Sequence, residues 1–209
     1  MIEVSEAQRL YAQSDAAHGF DHVLRVWQLA SQIGEQEGAD LWLLQAAALL
    51  HDIARGAPGI ACHAEASALR ARQVLADYPS HQVEKVAQII REHRYRSGPA
   101  PSSLESRVLF DADKLDAIGA IGIARAFAYG GQHGQRLTPE TWDSIERRDV
   151  SLEPQAEVQD HTPVHEYRLK LVHIADHLYT ESSRRIARER CAYMDAFFAR
   201  LQHEAQGLL

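Results

Sequence analysis

One stretch limits what this chain can fold into more than any other. From Trp42 to Leu50 the sequence reads WLLQAAALL, apolar on nearly all sides of a helix, and it runs directly into His51-Asp52. A helix without a polar face belongs in the interior of a domain. The pair that follows it is therefore carried to the edge of that interior. A carboxylate buried there without a partner costs several kcal/mol, so Asp52 needs a compensating positive charge, and a coordinated cation is one such charge.

The rest of the chain reads as helices around that segment. Phe20, Val23, Leu24, Trp27, Ala30 and Ile33 recur at spacings of three and four and predict a helix whose end is loosened by Gly34 and Gly38. Asp40 is placed to cap the helix that opens at Leu41. His63 to Ala76 is alanine-rich and favourable in helix propensity. Ser80 opens a fourth helix with Val83, Val86, Ala87 and Ile90 on one face, and the Ser97–Ser103 stretch SGPAPSS is a loop. A fifth starts near Leu104 and includes Val108, Leu109, Ala112 and Leu115. Gly119 and Gly122 predict close packing or a break, after which Ala120 to Tyr129 continues helical.

From Gly131 to about Pro163 the periodicity fades. His165 to Leu201 then reads as one long helical pattern. No strand-period alternation or internal repeat is present, so the fold class is all-α. At roughly 150 residues per domain, 209 residues predict one domain or one plus an appendage, and a single domain over 1–209 is expected. Its core would span about 15–130, a polar connection about 131–163, and C-terminal helices about 165–205, packing back on the core. The connection, Gln132 to Pro163, carries Pro139, Pro154 and Pro163 and is expected to be either a lid over a site or a surface excursion without a role.

Composition excludes several function classes. Lys plus Arg number 22 against 29 Asp plus Glu, a formal charge of −7, which disfavours sequence-independent nucleic-acid binding. The N-terminal MIEVSEAQRLYAQ carries acids and no long apolar run, unlike a signal peptide. The longest apolar stretch, Ala46 to Leu50, falls far short of the about 20 residues that span a bilayer. Two cysteines, Cys62 and Cys191, make no disulfide framework. A cytoplasmic protein without a membrane partner is expected, and a homo-oligomer stays open. Histidine is abundant: 12, against 5 Phe and 3 Trp.

Four places hold groups suited to a metal: Asp21-His22, His51-Asp52, the Asp111, Asp113 and Asp116 set, and the single histidines His18, His63, His93 and His165. Each has an ordinary reading. Asp116 can pair with Arg107 or Lys114, Arg25 and Lys114 with nearby acids, and His22 can be a satisfied histidine at a helix start. His81, His133, His173, His177 and His203 read as surface residues. Together, however, His22, His51-Asp52 and Asp113 follow in order with gaps of 29 and 61 residues (51 − 22 and 113 − 52).

That order resembles the HD-domain metal-dependent phosphohydrolases. DHVLRV (Asp21 to Val26) resembles the family's first-histidine helix, LLHDIA (Leu49 to Ala54) its His-Asp motif, and DADKLDAIGAIGIARAF (Asp111 to Phe127) its final-aspartate helix. HAEASALRA (His63 to Ala71), EHRY (Glu92 to Tyr95), Gly130-Gly131 and Leu171 to Phe198 are similar to small single-domain bacterial members related to nucleotide pyrophosphohydrolases. Two features depart from the pattern. Arg55 stands three positions after Asp52, where other branches often place an acid, and Gln132 to Pro163 matches no motif.

The resemblance implies one divalent cation held by His22, His51, Asp52 and Asp113, a mixed set that suits Mn, Mg, Co, Ni, Fe or Zn. It implies hydrolysis of a small phosphate ester or anhydride, a nucleotide above all, by a metal-bound water. Asp52 would orient that water. Asp116, one turn beyond Asp113, would orient a ligand or hold the cation's outer shell. His18, Arg25, Arg55, His63, His93 and Lys114 are the candidate substrate contacts. Two other classes remain: an HD-fold diiron oxygenase, which would draw extra ligands from His63, His93 or His165, and a noncatalytic metal-stabilised sensor module.

Overall fold

A computed structural model of the chain describes residues 2–11, 19–55, 59, 62–94, 99–142, 145 and 161–208. Its elements are α1 (Val4–Leu10), α2 (Phe20–Glu37), α3 (Leu41–Leu50), α4 (His63–Val74), α5 (Ser80–Glu92), α6 (Leu104–Leu115), α7 (Gly119–Gln132), α8 (Pro163–Leu169), a 3-10 helix (Leu171–His177) and α9 (Glu181–Ala205). Among the described residues there is no strand, so the all-α class holds. The chain divides into two compact units, Met1–Asp113 with Tyr179–Ser183, and Lys114–Leu178 with Arg184–Leu209.

In the first unit α3 is the element the others pack on: α1, α2, α4 and α5 all contact it. Leu44 and every residue from Ala46 to Leu50 are fully buried, as an all-round apolar helix requires. The Asp40 carboxylate accepts from the backbone N–H of Trp42 (2.9 Å) and Leu43 (3.2 Å), the expected cap. The buried face of α2 is rotated from the predicted stripe. It consists of His22, Val23, Val26, Leu29, Ala30, Ile33 and Gly34, while Leu24 and Trp27 are half-buried. This rotation puts His22 one turn before Val26 on the core face. In α4 the inward positions are Ala64, Ala68 and Ala71, small enough for α5 to lie close with Val83, Val86, Ala87 and Ile90.

Two elements differ from the sequence pattern. Helix α1 was hidden by its acidic residues; Ile2 and Ala7 are nevertheless buried, and Gln45 Nε2 donates to the Ile2 carbonyl (2.9 Å). The long C-terminal pattern is broken at Lys170 and again at Leu178–Thr180. The second break has a clear cause. Thr180 is the cap of α9, its hydroxyl accepting from Ser183 N–H (3.3 Å). The buried Asp111 carboxylate of α6 accepts from the N–H groups of Tyr179 (2.9 Å) and Thr180 (2.8 Å) and from the Thr180 hydroxyl (2.7 Å). A continuous helix would have to give up these bonds.

The second unit holds α7, α8, the 3-10 helix and α9 beyond its first turn. Helix α8 packs on α7 and on the 3-10 helix, and Tyr167 stacks on Phe198 with ring centroids 4.1 Å apart. Of the polar connection, residues 143–144 and 146–160 lie outside the described residues. Trp142 and Ile145 are buried, and Arg168 donates to both their carbonyls (2.7 and 3.4 Å). No helix among the described residues is long and apolar enough to cross a membrane.

The glycine pair opening α7 shows both behaviours the sequence suggested. Gly119 has φ +77°, and a Cβ on Gly122 would sit 2.7 Å from the Ala117 carbonyl carbon and closer still to its oxygen. Gly131, in the same helix, faces open space. Gly122→Ala should therefore lower stability by about 1–3 kcal/mol, whereas Gly131→Ala should raise it by up to about 1 kcal/mol through helix propensity. Equal effects in chemical denaturation would contradict the close approach.

Candidate metal centre

Six potential ligands, with Arg55 beside them, converge in the first unit. Helix α2 supplies His22 from its first turn. His51 is the C-terminal cap of α3, and Asp52 and Arg55 follow in the turn that leaves it. His63 is the first residue of α4, His93 caps the C-terminus of α5, and Asp113 lies near the end of α6. His22, His51, Asp52 and His93 are 2 % exposed or less.

The turn after α3 is held by side chains outside the ligand set. Ser67 Oγ accepts from Ala54 N–H (3.1 Å), and Arg70 Nη1 donates to the Ile53 carbonyl (3.2 Å). The Tyr11 hydroxyl donates to the Leu49 carbonyl (3.0 Å), and its burial raises the phenol pKa far above normal. Tyr11 and Arg70 satisfy carbonyls at and beyond the end of α3, where carbonyls lack partners within the helix, and Ser67 takes an N–H of the turn. Ser67 and Arg70 lie within the HAEASALRA stretch of α4, whereas Tyr11, just beyond α1, carried no sequence signal. Glu92, beside His93, is anchored by Ser102, whose N–H (2.9 Å) and hydroxyl (2.8 Å) both donate to it.

Hydrogen bonding fixes which imidazole nitrogens face inward. His51 Nδ1 lies 2.7 Å from the Ala48 carbonyl, and His93 Nδ1 lies 2.5 Å from the Ile90 carbonyl. A carbonyl only accepts, so both Nδ1 atoms carry the proton, and in the neutral ring Nε2 presents a lone pair. His51 Nε2 is buried without a hydrogen-bond partner, and so is Asp52 Oδ1. Two buried acceptors without donors in one cluster are costly as they stand. A cation satisfies them, and the donor set of imidazole and carboxylate fits a borderline-to-hard divalent ion. A carbonyl on the second ring nitrogen is the usual support of a metal-ligating histidine.

Asp52 lies at the middle. Its Oδ2 is 3.7 Å from His51 Nε2 and 3.9 Å from His22 Nε2, while its Oδ1 is 3.6 Å from His63 Nε2 and 3.8 Å from His93 Nε2. His22 Nε2 is also 3.4 Å from Asp113 Oδ1. The ligand atoms form two groups with spacings suited to a metal, His22-His51-Asp113 and Asp52-His63-His93. Burial opposes ionisation of Asp52, but the facing His51, Arg55 and His93 outweigh it and hold the carboxyl well below the usual range. Burial, reinforced by the Arg55 and Arg94 charges, keeps the His63 imidazole below its ordinary value against the pull of Asp52.

The remaining candidates are placed as follows. Arg55 donates to Asp52 Oδ2 (2.8 Å), and Arg25 to Asp21 Oδ2 (2.6 Å), one turn earlier on α2. Lys114 is half-buried near the end of α6. Asp116 belongs to the second unit and pairs with Arg125 (3.2 Å). His165, also in the second unit, caps α8, its Nδ1 accepting from Thr162 N–H (3.2 Å). His18 lies outside the described residues.

An all-helical unit that gathers histidines and aspartates from five elements around one His-Asp turn defines a class of metal-binding proteins. The chain carries an HD domain, matched over residues 19–118. It is 29 % identical to the uncharacterized protein YpgQ of Bacillus subtilis over 205 residues, 96 % of this chain and 91 % of YpgQ. The crystal structure of YpgQ in complex with ADP superposes with a TM-score of 0.72, covering 96 % of this chain and 92 % of that one. An HD-superfamily hydrolase of Bacillus thuringiensis has a TM-score of 0.75 at 27 % identity, covering 97 % and 94 %. A Lactobacillus plantarum protein has a TM-score of 0.77 at 30 % identity, with the same coverage.

Imidazole must be neutral to ligate, so protons compete with the metal. Asp52 stays ionised through the mildly acidic range because its pKa is depressed. The loss of affinity between about pH 8 and pH 5 should therefore follow histidine protonation. Titration calorimetry with Mn²⁺ should show it, and His51→Ala should abolish retention. Affinity independent of pH over that range would contradict imidazole ligation.

Proposed function

We propose that this chain is a divalent-metal-dependent phosphohydrolase acting on a small phosphate ester or anhydride, with nucleotides the leading substrate class. The observation that carries the reading is the pair of orphaned acceptors, His51 Nε2 and Asp52 Oδ1, inside the six-residue cluster. The nucleotide part draws on the ADP complex of YpgQ. His22, His51, Asp52 and Asp113 are the residues assigned to hold the cation. When bound, such an ion polarises a phosphoryl oxygen and makes a water more acidic.

The chain's own groups do the rest. The Asp52 carboxylate accepts a hydrogen bond from the attacking water and aligns it. His63, one quarter exposed at its side chain, stays neutral near pH 7 and offers a hydrogen bond to a phosphate oxygen at the rim. Asp52 and Asp113 together balance a divalent charge, and we assign the cationic side chains Arg25, Arg55 and Lys114 to an anionic substrate, with His18 as a further donor. The net charge of −7 makes such local cations necessary. We assign the protein to the cytoplasm on its free cysteines, Cys62 and Cys191.

A second reading has a specific observation behind it. Asp52 Oδ1 faces His63 and His93 as well, so a second cation with Asp52 as bridge fits the same cluster. Such a pair also suits a diiron oxygenase.

A matrix of six metals (Mn, Mg, Co, Ni, Fe, Zn) against nucleoside mono-, di- and triphosphates separates these readings, with metal stoichiometry measured beside product. Phosphate or pyrophosphate release that EDTA abolishes is the expected outcome. Failure of every pair to release phosphate, together with O₂ uptake by the ferrous protein, would overturn the hydrolase in favour of the oxygenase.

A further inference from the structure

We propose that Arg94 selects substrates with two linked phosphates over those with one: it stands beside His63, the most exposed member of the cluster, and binds the phosphate next to the one that reacts. The inference deepens the hydrolase reading and rests on it.

Three observations carry it. First, exposure marks where the cluster meets a substrate. The His63 side chain is 25 % exposed, against 14 % for Asp113 and 2 % or less for His22, His51, Asp52 and His93. His63 Nε2 is also 3.6 Å from Asp52 Oδ1, so it joins the buried carboxylate to the rim. Second, the chain fixes Arg94 at that side. Arg94 directly follows His93, and its Nη1 donates to the thiol sulfur of Cys62 (3.2 Å), the residue directly before His63. The two histidines that face Asp52 Oδ1 are thus tied to one guanidinium, whose charge acts on the His63 imidazole.

Third, that charge is not spent on a carboxylate. Arg55 pairs with Asp52, Arg25 with Asp21, and Arg70 with the Ile53 carbonyl. Among the described residues Arg94 has no carboxylate partner and donates to sulfur, a weak acceptor that takes one of its five N–H groups. A planar guanidinium matches two phosphate oxygens at once. The thiol and a phosphate would use different N–H groups, so neither contact has to be given up for the other. Position then sets the preference. Arg55 holds Asp52 Oδ2, whereas Arg94 adjoins the histidines that face Oδ1. A lone phosphate at the reacting position is served by the cluster and Arg55, and a second, linked phosphate engages Arg94. In the competing arrangement Arg94 braces the turn before α4 through Cys62 and touches no substrate.

Titration calorimetry of the Mn²⁺-saturated protein separates the two. The probes are AMP and α,β-methylene-ADP, whose carbon bridge resists hydrolysis. Wild type should bind the diphosphate analogue more tightly than AMP. Arg94→Gln should weaken the analogue about ten-fold, the loss of charge-assisted hydrogen bonds, and change AMP by less than about two-fold. Arg94→Lys should recover part of the loss, because the charge remains and the fork does not. Mn²⁺ affinity and the thermal midpoint of Arg94→Gln should stay near wild type. Equal losses for both ligands, no loss for either, or loss of Mn²⁺ from Arg94→Gln overturns this inference alone. A wild-type protein that holds Mn²⁺ but binds neither nucleotide overturns the nucleotide reading and this inference with it.

Discussion

The structure is organised by the cost of a carboxylate at the end of an apolar helix. Asp52 lies where α3 leaves the core, with its side chain 1 % exposed. An ion in that place needs compensation from groups fixed in position. The fold supplies them from four directions: His22 from α2, His63 and His93 from the starts and ends of α4 and α5, and Arg55 from its own turn. The alanine face of α4 matters for the same reason, because it lets α4 and α5 approach closely enough to bring their terminal histidines within 5.4 Å of each other, centroid to centroid.

The imidazoles are placed by backbone. Carbonyls of Ala48 and Ile90 each hold one Nδ1–H, which aims the Nε2 lone pairs of His51 and His93 inward. Both histidines stand at helix C-termini, where carbonyls lack partners within the helix. The same helix ends that need donors thus orient the groups that need a cation. Ser67, Arg70 and Tyr11 complete this by bonding the remaining backbone groups of the turn, so the centre is supported by residues that have no ligand chemistry of their own.

Much of this was legible in the sequence, for identifiable reasons. Helices α2 to α7 announced themselves through apolar spacing and caps such as Asp40, and the His-Asp pair stood out because an apolar run ended in it. What stayed hidden depended on contacts distant in the chain. The rotation of α2 that buries Val26 and Leu29 is set by packing on α3. The break before α9 is set by Asp111, 68 residues upstream of Tyr179. The pairing of Asp116 with Arg125, across the Gly119 turn, was hidden because spacing within one helix cannot register a bend. Tyr11 lay in a segment whose acids masked its anchoring role.

The central claim is that His22, His51, Asp52 and Asp113 enclose a divalent cation. Anomalous diffraction at the manganese edge, from crystals grown with Mn²⁺, tests it without recourse to turnover. The account predicts a peak bonded to those four side chains at about 2.0–2.3 Å, the range of first-row metal ligation by imidazole and carboxylate. A manganese peak elsewhere in the chain, with His51 Nε2 and Asp52 still uncoordinated, would contradict it.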